Sequence, residues 1–520
     1  MKVLRILIYL YNIYYSVAIL DAYGITVLSY IGLVLTIGIL TSFLIKKSSK
    51  RYMVAGKSLP LIFVGTMLAS QSIDGNASLG NVSLVFQFGF WAGAAIPIGL
   101  GLCLLLTGTV YAKKLNNMSL LTLPDFYFRR YGIEAEGLSS VLLTISFIIL
   151  VAGNFAAGGF ILSTVLHIDL FWGMLIVSGA VLVCVFSGGL FSSAYTDIFQ
   201  VYLTIGAFWA AFLFFVFGFS GVDFGTIMAS TPPEFIDLSG LTDPKAGALT
   251  VWAGILALAL GDVVALDFME RVFSARNGKT ARRGALMAGA MTMSIVVPVS
   301  MMGIVALYFI PDNDPFTAYP TLAIQYLPFP IGAALLVGVV GASMSTANGG
   351  LLAVSSAISR NLIQRDILRG ILKRTGLDDK KLLLLTRMVT IPVMLTGLTL
   401  GFTIPQPGIY LILAFDVVFA GAWAPLTLGL FWKKSNLPAA LSSLILGSSL
   451  RLVLYYVTPI EYAGIDTMIP PVISFVVFIG VALATQKKYP GKKRSGVVDY
   501  VPPDEDVVNG DDLKGYKPPM

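Results

Sequence analysis

The sequence GASMSTANGG, residues 341–350, lies in the middle of an apolar segment that runs from about residue 331 to residue 358. Contact with lipid does not require a row of small and hydroxyl-bearing residues at such a position. Small residues let a second helix pack closely, whereas hydroxyl groups either bond to their own backbone or hold a polar ligand. The stretch therefore indicates a helix-packing surface or a binding site, and the surrounding chain decides between them.

The composition is that of a polytopic membrane protein. Of the 520 residues, 56% are hydrophobic and only 12% are charged, which is too apolar for a soluble globular domain. The net charge of +7 does not indicate nucleic-acid binding, because the basic residues lie in short loops between apolar runs. The two cysteines, Cys103 and Cys184, both lie inside apolar runs and give no sign of redox or metal chemistry.

About thirteen transmembrane helices are predicted, since only helices satisfy every backbone group of an apolar run of about twenty residues in lipid. The predicted spans are residues 25–45, 60–86, 89–112, 138–166, 168–188, 194–219, 248–270, 284–310, 331–358, 386–403, 408–432, 437–457 and 467–485. The chain is thus an all-α polytopic membrane protein with one transmembrane domain, residues 25–485. Residues 1–24 form an N-terminal extension or an extra short hydrophobic segment, and residues 486–520 form a disordered tail.

The orientation of the spans follows from the charges of the loops. Every second loop is basic, beginning with residues 46–57 after the first span, whereas the alternate loops carry acidic residues such as Asp223 and Asp243. Basic loops stay on the cytoplasmic side. The first span is therefore expected to enter from outside, and the C-terminal tail is expected in the cytoplasm of a cell whose plasma membrane holds the protein.

The second span is predicted to be broken. Its central run ASQSIDGNAS, residues 69–78, places a carboxylate, two amides and a glycine near the middle of the membrane. A charge at that depth is costly unless a cation or hydrogen-bond donors meet it, so Asp74 is a functional candidate. The alternative is an aspartate that caps a half-helix, and such a break exposes carbonyl groups that bind a cation.

Carboxylates also occur in two later spans that cross inward. Asp262 and Asp416 lie toward the middle or outer half of their spans, where they either take part in structural pairing or contact a solute. Asp267 and Glu270 lie nearer the inner end beside Arg271, so an interfacial salt bridge is expected there.

Four stretches together resemble one family, the sodium/solute symporters that include the proline, glucose and sialic acid carriers. Residues 188–200 are similar to its glycine pair followed by an aromatic-Thr-Asp-x-x-Gln turn, and residues 270–285 to its basic inner loop, where Gln-Arg is commoner than this Glu-Arg. Residues 342–346 resemble the sodium-binding part of the ninth span. Residues 72–75 are most similar to the proline-carrier form of the second span. The resemblance covers about residues 24–485.

The resemblance implies a LeuT-like fold of two inverted five-helix repeats, residues 60–219 and 248–432, with a broken first helix and a solute at the midplane. Its sodium site, carried over to this sequence, uses the carbonyls of Ser72, Gly75 and Ala342 and the hydroxyls of Ser345 and Thr346. Several neutral oxygens suit Na⁺, which is a hard cation. Asp74 then sets the electric field beside the ion. Asp197 lies on the inner exit path. Alternatively, it stands at the start of the sixth span and acts as an N-terminal cap of that helix.

The solute site that the resemblance implies draws on Asn76, Gln87, Asp262, Ala265 and Asp416. The asparagine of the sugar carriers is replaced by Ala265, which disfavours a sugar. The carboxylates of Asp262 and Asp416 would repel a bare anion and suit a solute that bears an amine.

The sequence therefore predicts a secondary transporter, not an enzyme, that takes up a small polar solute with Na⁺ by alternating access. Its partners are Na⁺, the solute and the lipid bilayer, with no nucleic acid; the sequence does not predict an oligomeric state. One alternative is a proton-coupled carrier of the same fold, because intramembrane aspartates can carry protons. A remote alternative is an intramembrane aspartyl protease, since Gly261-Asp262 resembles part of a Gly-x-Gly-Asp motif whose first glycine is Ala259 here.

Overall fold

The computed structural model describes residues 22–373 and 376–491. Within these ranges the regular secondary structure is helical, apart from one isolated bridge between Leu59 and Ala275. The expected extension at residues 1–24 falls outside the described residues up to position 21, and so does the expected tail from position 492 onward.

We label fifteen of the helices in chain order. They are α1 (Ala22–Ile45), α2 (Leu61–Ser72), α3 (Gly75–Phe88), α4 (Phe90–Asn117), α5 (Ile133–Leu166), α6 (Leu170–Gly188), α7 (Leu190–Val216), α8 (Ala248–Val264), α9 (Leu266–Ser274), α10 (Gly278–Phe309), α11 (Phe329–Ile371), α12 (Asp379–Thr403), α13 (Pro407–Phe431), α14 (Leu437–Val457) and α15 (Ile465–Thr485).

Eleven of these helices are long and apolar enough to cross a membrane, and α8 with α9 makes a twelfth crossing that is bent by 48° at the junction. Helices α2 and α3 are 12 and 14 residues long. Each is too short to span the bilayer alone, so together they form a further, broken crossing. The prediction of about thirteen spans is confirmed, with two of the thirteen broken in the middle.

The break between α2 and α3 lies where the polar run predicted it. Asp74 adopts an extended backbone conformation, with φ −96° and ψ −179°, and its side chain accepts a hydrogen bond from the Ala77 amide. The carboxylate thereby satisfies a donor at the start of α3 that has no partner within the helix. A chain that carries Asp, Gly and Asn at successive positions favours such a cap over a continuous helix.

The break between α8 and α9 was not predicted. Residues Ala257–Gly261 form a π-helical turn, Asp262–Val264 form a 3₁₀ turn, and Ala265 is extended before α9 begins. The start of the first broken span and the end of the second are joined by backbone hydrogen bonds, because the Leu59 amide donates to the Ser274 carbonyl at 3.0 Å and the Arg276 amide donates to the Leu59 carbonyl at 3.1 Å. The two breaks occupy corresponding positions in two repeats of five spans each, α2–α7 and α8–α13.

Helix α11, which carries residues 341–350, lies at the centre of the molecule. In its most apolar window 78% of the residues are buried within the protein, compared with 33% in α1 and in α15. Helices α1 and α15 therefore lie at the periphery, where their apolar side chains face lipid. The position of α11 explains its small residues, because α2, α5 and α7 all pack against it.

A cluster of charges holds the C-terminal end of α11. The Arg365 guanidinium contacts Asp125 Oδ1 at 2.9 Å and also pairs with Glu136 at the start of α5. The amide of Asn361 donates to the same two carboxylates, at 3.1 and 2.6 Å. Burial alone would raise the pKa of the Asp125 carboxyl, but the guanidinium groups of Arg360 and Arg365 hold it well below its usual range.

Candidate ion and solute site

The small-residue stretch of α11 packs directly against the break between α2 and α3. The hydroxyl of Thr346 lies 3.5 Å from the Ser70 carbonyl, near the end of α2. A Cβ atom built on Gly75 would lie 1.8 Å from Ser343 Oγ, so only glycine lets the break approach α11 this closely. Five residues are expected to form the sodium site, and all of them are buried: Ser72, Gly75, Ala342, Ser345 and Thr346.

Asp197 contacts the same part of α11. The Ser345 hydroxyl donates to Asp197 Oδ1, and the Ser193 hydroxyl donates to Asp197 Oδ2 at 3.0 Å. The alternative that Asp197 caps a helix is wrong, because α7 begins at Leu190 and Asp197 lies two turns inside it. Its carboxylate is bound by hydroxyl groups within the part of the chain that is described, and it lies one hydrogen bond from the expected sodium ligand Ser345.

Arg271 lies next to Ser193 and Asp197, whereas the sequence predicts it in an interfacial salt bridge. Its guanidinium donates to Ser193 Oγ and to the Asp267 carbonyl, each at 3.1 Å. It also lies against α11, since a Cβ atom on Gly349 would be 2.7 Å from Arg271 Nη2. The expected interfacial salt bridge with Asp267 and Glu270 is wrong: the Asp267 carboxylate accepts from the Phe268 amide, and among the described residues no hydrogen bond reaches that of Glu270.

Gln71 completes the cluster. Oriented so that both ends of its amide find partners, it donates to Asp267 Oδ2 at 2.8 Å and accepts from Arg271 Nη2 at 2.8 Å, and its oxygen lies 3.1 Å from Ser345 Oγ. Gln71 belongs to the polar run that predicted the break, but its link to Arg271 joins residues 200 positions apart and has no signal in the local sequence.

The carboxylate of Asp74 is held by two donors. It accepts from the Ala77 amide at 2.6 Å and from the Asn154 side chain on α5 at 2.7 Å. Capping, which was the alternative reading of Asp74, is thus what the structure shows. Asn154 was not predicted, although a lone amide in the apolar run of α5 is the kind of signal that could have indicated it.

Asp262 lies at the second break with its charge unmatched. It is 1% exposed, and neither carboxylate oxygen has a hydrogen-bond partner in the described chain. Ala265, at the same break, is fully buried. Across the first break, the Asn76 amide donates to the Leu150 carbonyl at 3.1 Å and leaves its oxygen without a donor. Asn76 therefore lies at the first break, and Asp262 and Ala265 lie at the second.

Gln87 and Asp416 do not join that group. Gln87 is exposed and bonds to Ser83 of its own helix, 13 positions past Asp74, which is about 20 Å along a helix. The Asp416 carboxylate faces α14 and α15, where it pairs with Arg451 and accepts from the Thr467 hydroxyl at 3.1 Å. Of the two alternatives for Asp416, structural pairing is therefore the one that the structure shows, since the Arg451 guanidinium neutralises this carboxylate.

Comparison with known proteins identifies the family. A family model described as "SSF: Sodium:solute symporter family" matches residues 52–447, which is well over half of the chain. The chain belongs to the sodium:solute symporter family. The symporter is accordingly a multi-pass membrane transporter rather than an enzyme, and Na⁺ is its coupling ion. Membership decides against the intramembrane protease and against proton coupling as the principal drive.

Curated relatives of the symporter are identical to it at about a quarter of the aligned residues. It is 23% identical to the human high affinity choline transporter 1 over 462 residues, which covers 82% of this chain and 76% of that protein. It is 25% identical to the high-affinity proline transporter PutP of Bacillus subtilis over 418 residues, covering 77% and 86%. A sodium/proline symporter of Staphylococcus aureus is 24% identical over 458 residues, covering 84% and 88%.

A solved structure confirms the fold. The symporter superposes on the substrate-bound, outward-open state of a Na⁺-coupled sialic acid symporter with a TM-score of 0.71, covering 91% of this chain and 98% of that one at 14% identity. A nucleobase-cation-symport transporter, Mhp1, gives a TM-score of 0.52 at 13% identity. The prediction of an all-α membrane fold with two inverted repeats and a broken first core helix is confirmed.

Proposed function

We propose that the symporter uses the Na⁺ gradient to take up a small organic solute that bears an amine, by alternating access across a plasma membrane. The observation that carries the choice of solute is Asp262, a buried carboxylate without a partner among the described residues, at the second break. A buried carboxyl group of this kind stays ionised only when an opposite charge meets it. The choline and proline that give two curated relatives their names both contain a positively charged nitrogen.

The ion is proposed to bind where α11 meets the first break. The carbonyls of Ser72, Gly75 and Ala342 and the hydroxyls of Ser345 and Thr346 are the proposed ligands. Support comes from the close approach of Gly75 to α11 and from the 3.5 Å contact between the Thr346 hydroxyl and the end of α2. A helix that ends in the membrane leaves carbonyls without intrahelical partners, and hydroxyl and carbonyl oxygens suit Na⁺.

Coupling is proposed to follow from this shared position. An ion that bridges α11 and the break holds α2 and α3 in the arrangement that also presents Asn76 to the solute. Ion binding then raises the affinity for solute, and by linkage the solute raises the affinity for the ion. Asp74 orients the break, and Asp197, bonded to Ser345, is proposed to receive the ion as it leaves toward the cytoplasm.

Uptake by purified protein in proteoliposomes tests the proposal. With Na⁺ outside and K⁺ inside, we expect accumulation of at least one labelled amine from a panel of amino acids, amino alcohols and polyamines. Monosaccharides and monocarboxylates are not expected to accumulate. The amine is not expected to accumulate either when equal Na⁺ concentrations on both sides remove the gradient. Accumulation that needs only a proton gradient, or that is confined to solutes without nitrogen, would overturn the proposal.

A further inference from the structure

Resting on the proposed function, we infer that the solute is an organic cation without an acid group, such as an amino alcohol or a quaternary ammonium ion, and not an amino acid. The two classes share the positive nitrogen that Asp262 would meet. Only the amino acid also has a carboxylate, and a site that binds it must supply hydrogen-bond donors or a positive charge to that group. The hydrogen-bond donors and acceptors around the two breaks favour the organic cation over the amino acid.

The first argument concerns the helix ends at the breaks. The amino-terminal end of a half-helix that points at the midplane is the usual place for the carboxylate of a solute, because its amide hydrogens have no partner and carry partial positive charge. Here one of the chain's own carboxylates already accepts from an amide at each of these ends. Asp74 accepts from the Ala77 amide of the 14-residue α3, and Asp267 accepts from the Phe268 amide of the 9-residue α9 at 2.7 Å.

The second argument concerns the polar side chains that remain. The amide nitrogens of Asn76 and Asn154 are used, since the first donates to the Leu150 carbonyl and the second to Asp74. Their oxygens are buried without donors, as are both oxygens of Asp262. The amide and carboxylate atoms left over at the breaks are thus hydrogen-bond acceptors, which suit an ammonium or hydroxyl group and repel a carboxylate.

The third argument concerns positive charge. Arg271 is the one Lys or Arg in the sequence of the four half-helices α2, α3, α8 and α9. Its two terminal nitrogens donate hydrogen bonds to Ser193 Oγ and to the Asp267 carbonyl. The guanidinium lies against Gly349 of α11. A zwitterion would therefore add a second carboxylate beside Asp262 without a guanidinium to receive it. A cation would neutralise Asp262 and bring no further charge.

Pairs of solutes that differ only in the acid group test the inference. Purified wild-type symporter in Na⁺ is titrated with choline and glycine betaine, ethanolamine and glycine, and prolinol and proline, with thermal stabilisation and competition for uptake as readouts. For each pair that binds, we expect the alcohol to bind at least about 100-fold more tightly, because a buried carboxylate would lack its donors. Tighter binding of the acid member overturns the inference while leaving Na⁺-coupled amine uptake intact.

Binding of none of the six amines in Na⁺ would overturn both the inference and the proposed class of solute. The variant Asp262→Asn removes the charge, so the preference for the cation is expected to fall to within a few-fold. Asp169→Asn, a change at an exposed position outside both breaks, should leave the preference as in the wild type. If Asp262→Asn does not fold, the wild-type ratio within each pair still decides the question.

Discussion

The hydroxyl of Ser345 on α11 contacts residues of two other helices. It bonds to Asp197 on α7, and it lies 3.4 Å from Ser70 Oγ on α2 and 3.5 Å from Ser193 Oγ on α7. Three helices therefore meet at one serine. Its neighbour Gly349 is also more than a packing residue, because the absence of a side chain there admits the Arg271 guanidinium. The stretch from residue 341 to residue 350 is a packing surface, and it also carries the hydroxyl groups that are proposed to bind Na⁺.

Removing the Thr346 hydroxyl should weaken the affinity for Na⁺. In Thr346→Ala one proposed oxygen ligand beside the Ser70 carbonyl is lost, so the Na⁺ concentration for half-maximal uptake is expected to rise about 3- to 10-fold. The measurement is solute uptake by proteoliposomes as a function of external Na⁺. Thr399→Ala is the matched control, because that exposed hydroxyl bonds only to Leu395 of its own helix. An unchanged sodium dependence in Thr346→Ala would contradict the assignment.

Neutralising Asp416 should affect stability and not solute recognition. The Asp416 carboxylate is 1% exposed and paired with Arg451, which also contacts Asp466 at 2.9 Å. Removing one member of a buried ion pair lowers the free energy of unfolding by about 3–5 kcal/mol. The loss is smaller here because Arg451 keeps Asp466 as a partner. Asp416→Asn is therefore expected to lower the melting temperature in detergent while the solute affinity of the folded fraction stays unchanged.

The control for Asp416→Asn is Asp378→Asn, which removes an exposed ion pair to Lys381. An exposed pair of this kind contributes little, so its melting temperature should match that of the wild type. A large loss of solute affinity in Asp416→Asn would return that carboxylate to the solute site.

At the scale of the element, the first break could be read from the sequence and the second could not. Asp74, Gly75 and Asn76 favour a cap over a continuing helix, and that preference is local. Val264 and Leu266 on either side of Ala265 are apolar. Gly261 and Asp262 precede the break instead of standing at its cap position. The π-helical turn before the break ends at Gly261, which packs closely against α13, since a Cβ atom there would lie 2.7 Å from the Phe415 carbonyl. Partners distant in sequence, such as Asp416 and Arg451, were equally beyond local patterns.

Adding one methyl group at the first break should separate it from α11. In Gly75→Ala the new Cβ atom would lie 1.8 Å from Ser343 Oγ and 3.0 Å from Ala157 Cβ, so the helices must move. Overpacking of this kind costs about 1–3 kcal/mol. We expect Gly75→Ala to lose most of its Na⁺-dependent uptake while it still reaches the membrane.

The double variant Gly75→Ala, Ser343→Gly tests whether the steric contact is the cause. It removes the two Ser343 atoms nearest the new methyl group and should restore part of the uptake. Equal activity of Gly75→Ala and the wild type would show that α11 and the break do not need to touch.

At the scale of the whole molecule, the charges decide how the chain sits in the membrane. The orientation was inferred from loop charges alone, and labelling can test it because both native cysteines, Cys103 and Cys184, are buried. A cysteine at the exposed position Lys245 is expected to react with a membrane-impermeant maleimide added outside intact cells. A cysteine at the exposed position Lys279 should react only after the cells are opened. The reverse pattern would invert the proposed topology and place the C-terminus outside.

The inner cluster around Asp125 gives a pH-dependent stability. Since the folded-state pKa of Asp125 is below its ordinary value of about 3.9, its contribution is complete above that value and is lost as the pH falls through the folded pKa. Arg365→Gln removes one of the guanidinium groups that lower this pKa. Its melting temperature should fall below that of the wild type by a constant amount from pH 5 to 8, and the difference should narrow below about pH 4. A deficit that does not change down to pH 3 would exclude this charge interaction as the cause.

The short halves of the first broken span bear on how the protein is made. A nascent segment partitions from the translocon into lipid when it offers about twenty apolar residues. Leu61–Ser72 and Gly75–Phe88 do not offer this, and their junction carries an aspartate. Only Gly89 separates them from the strongly apolar α4, so the broken span and α4 are expected to leave the translocon together as a helical hairpin. The polarity that suits ion binding thus makes biogenesis of this segment depend on the helix synthesised after it.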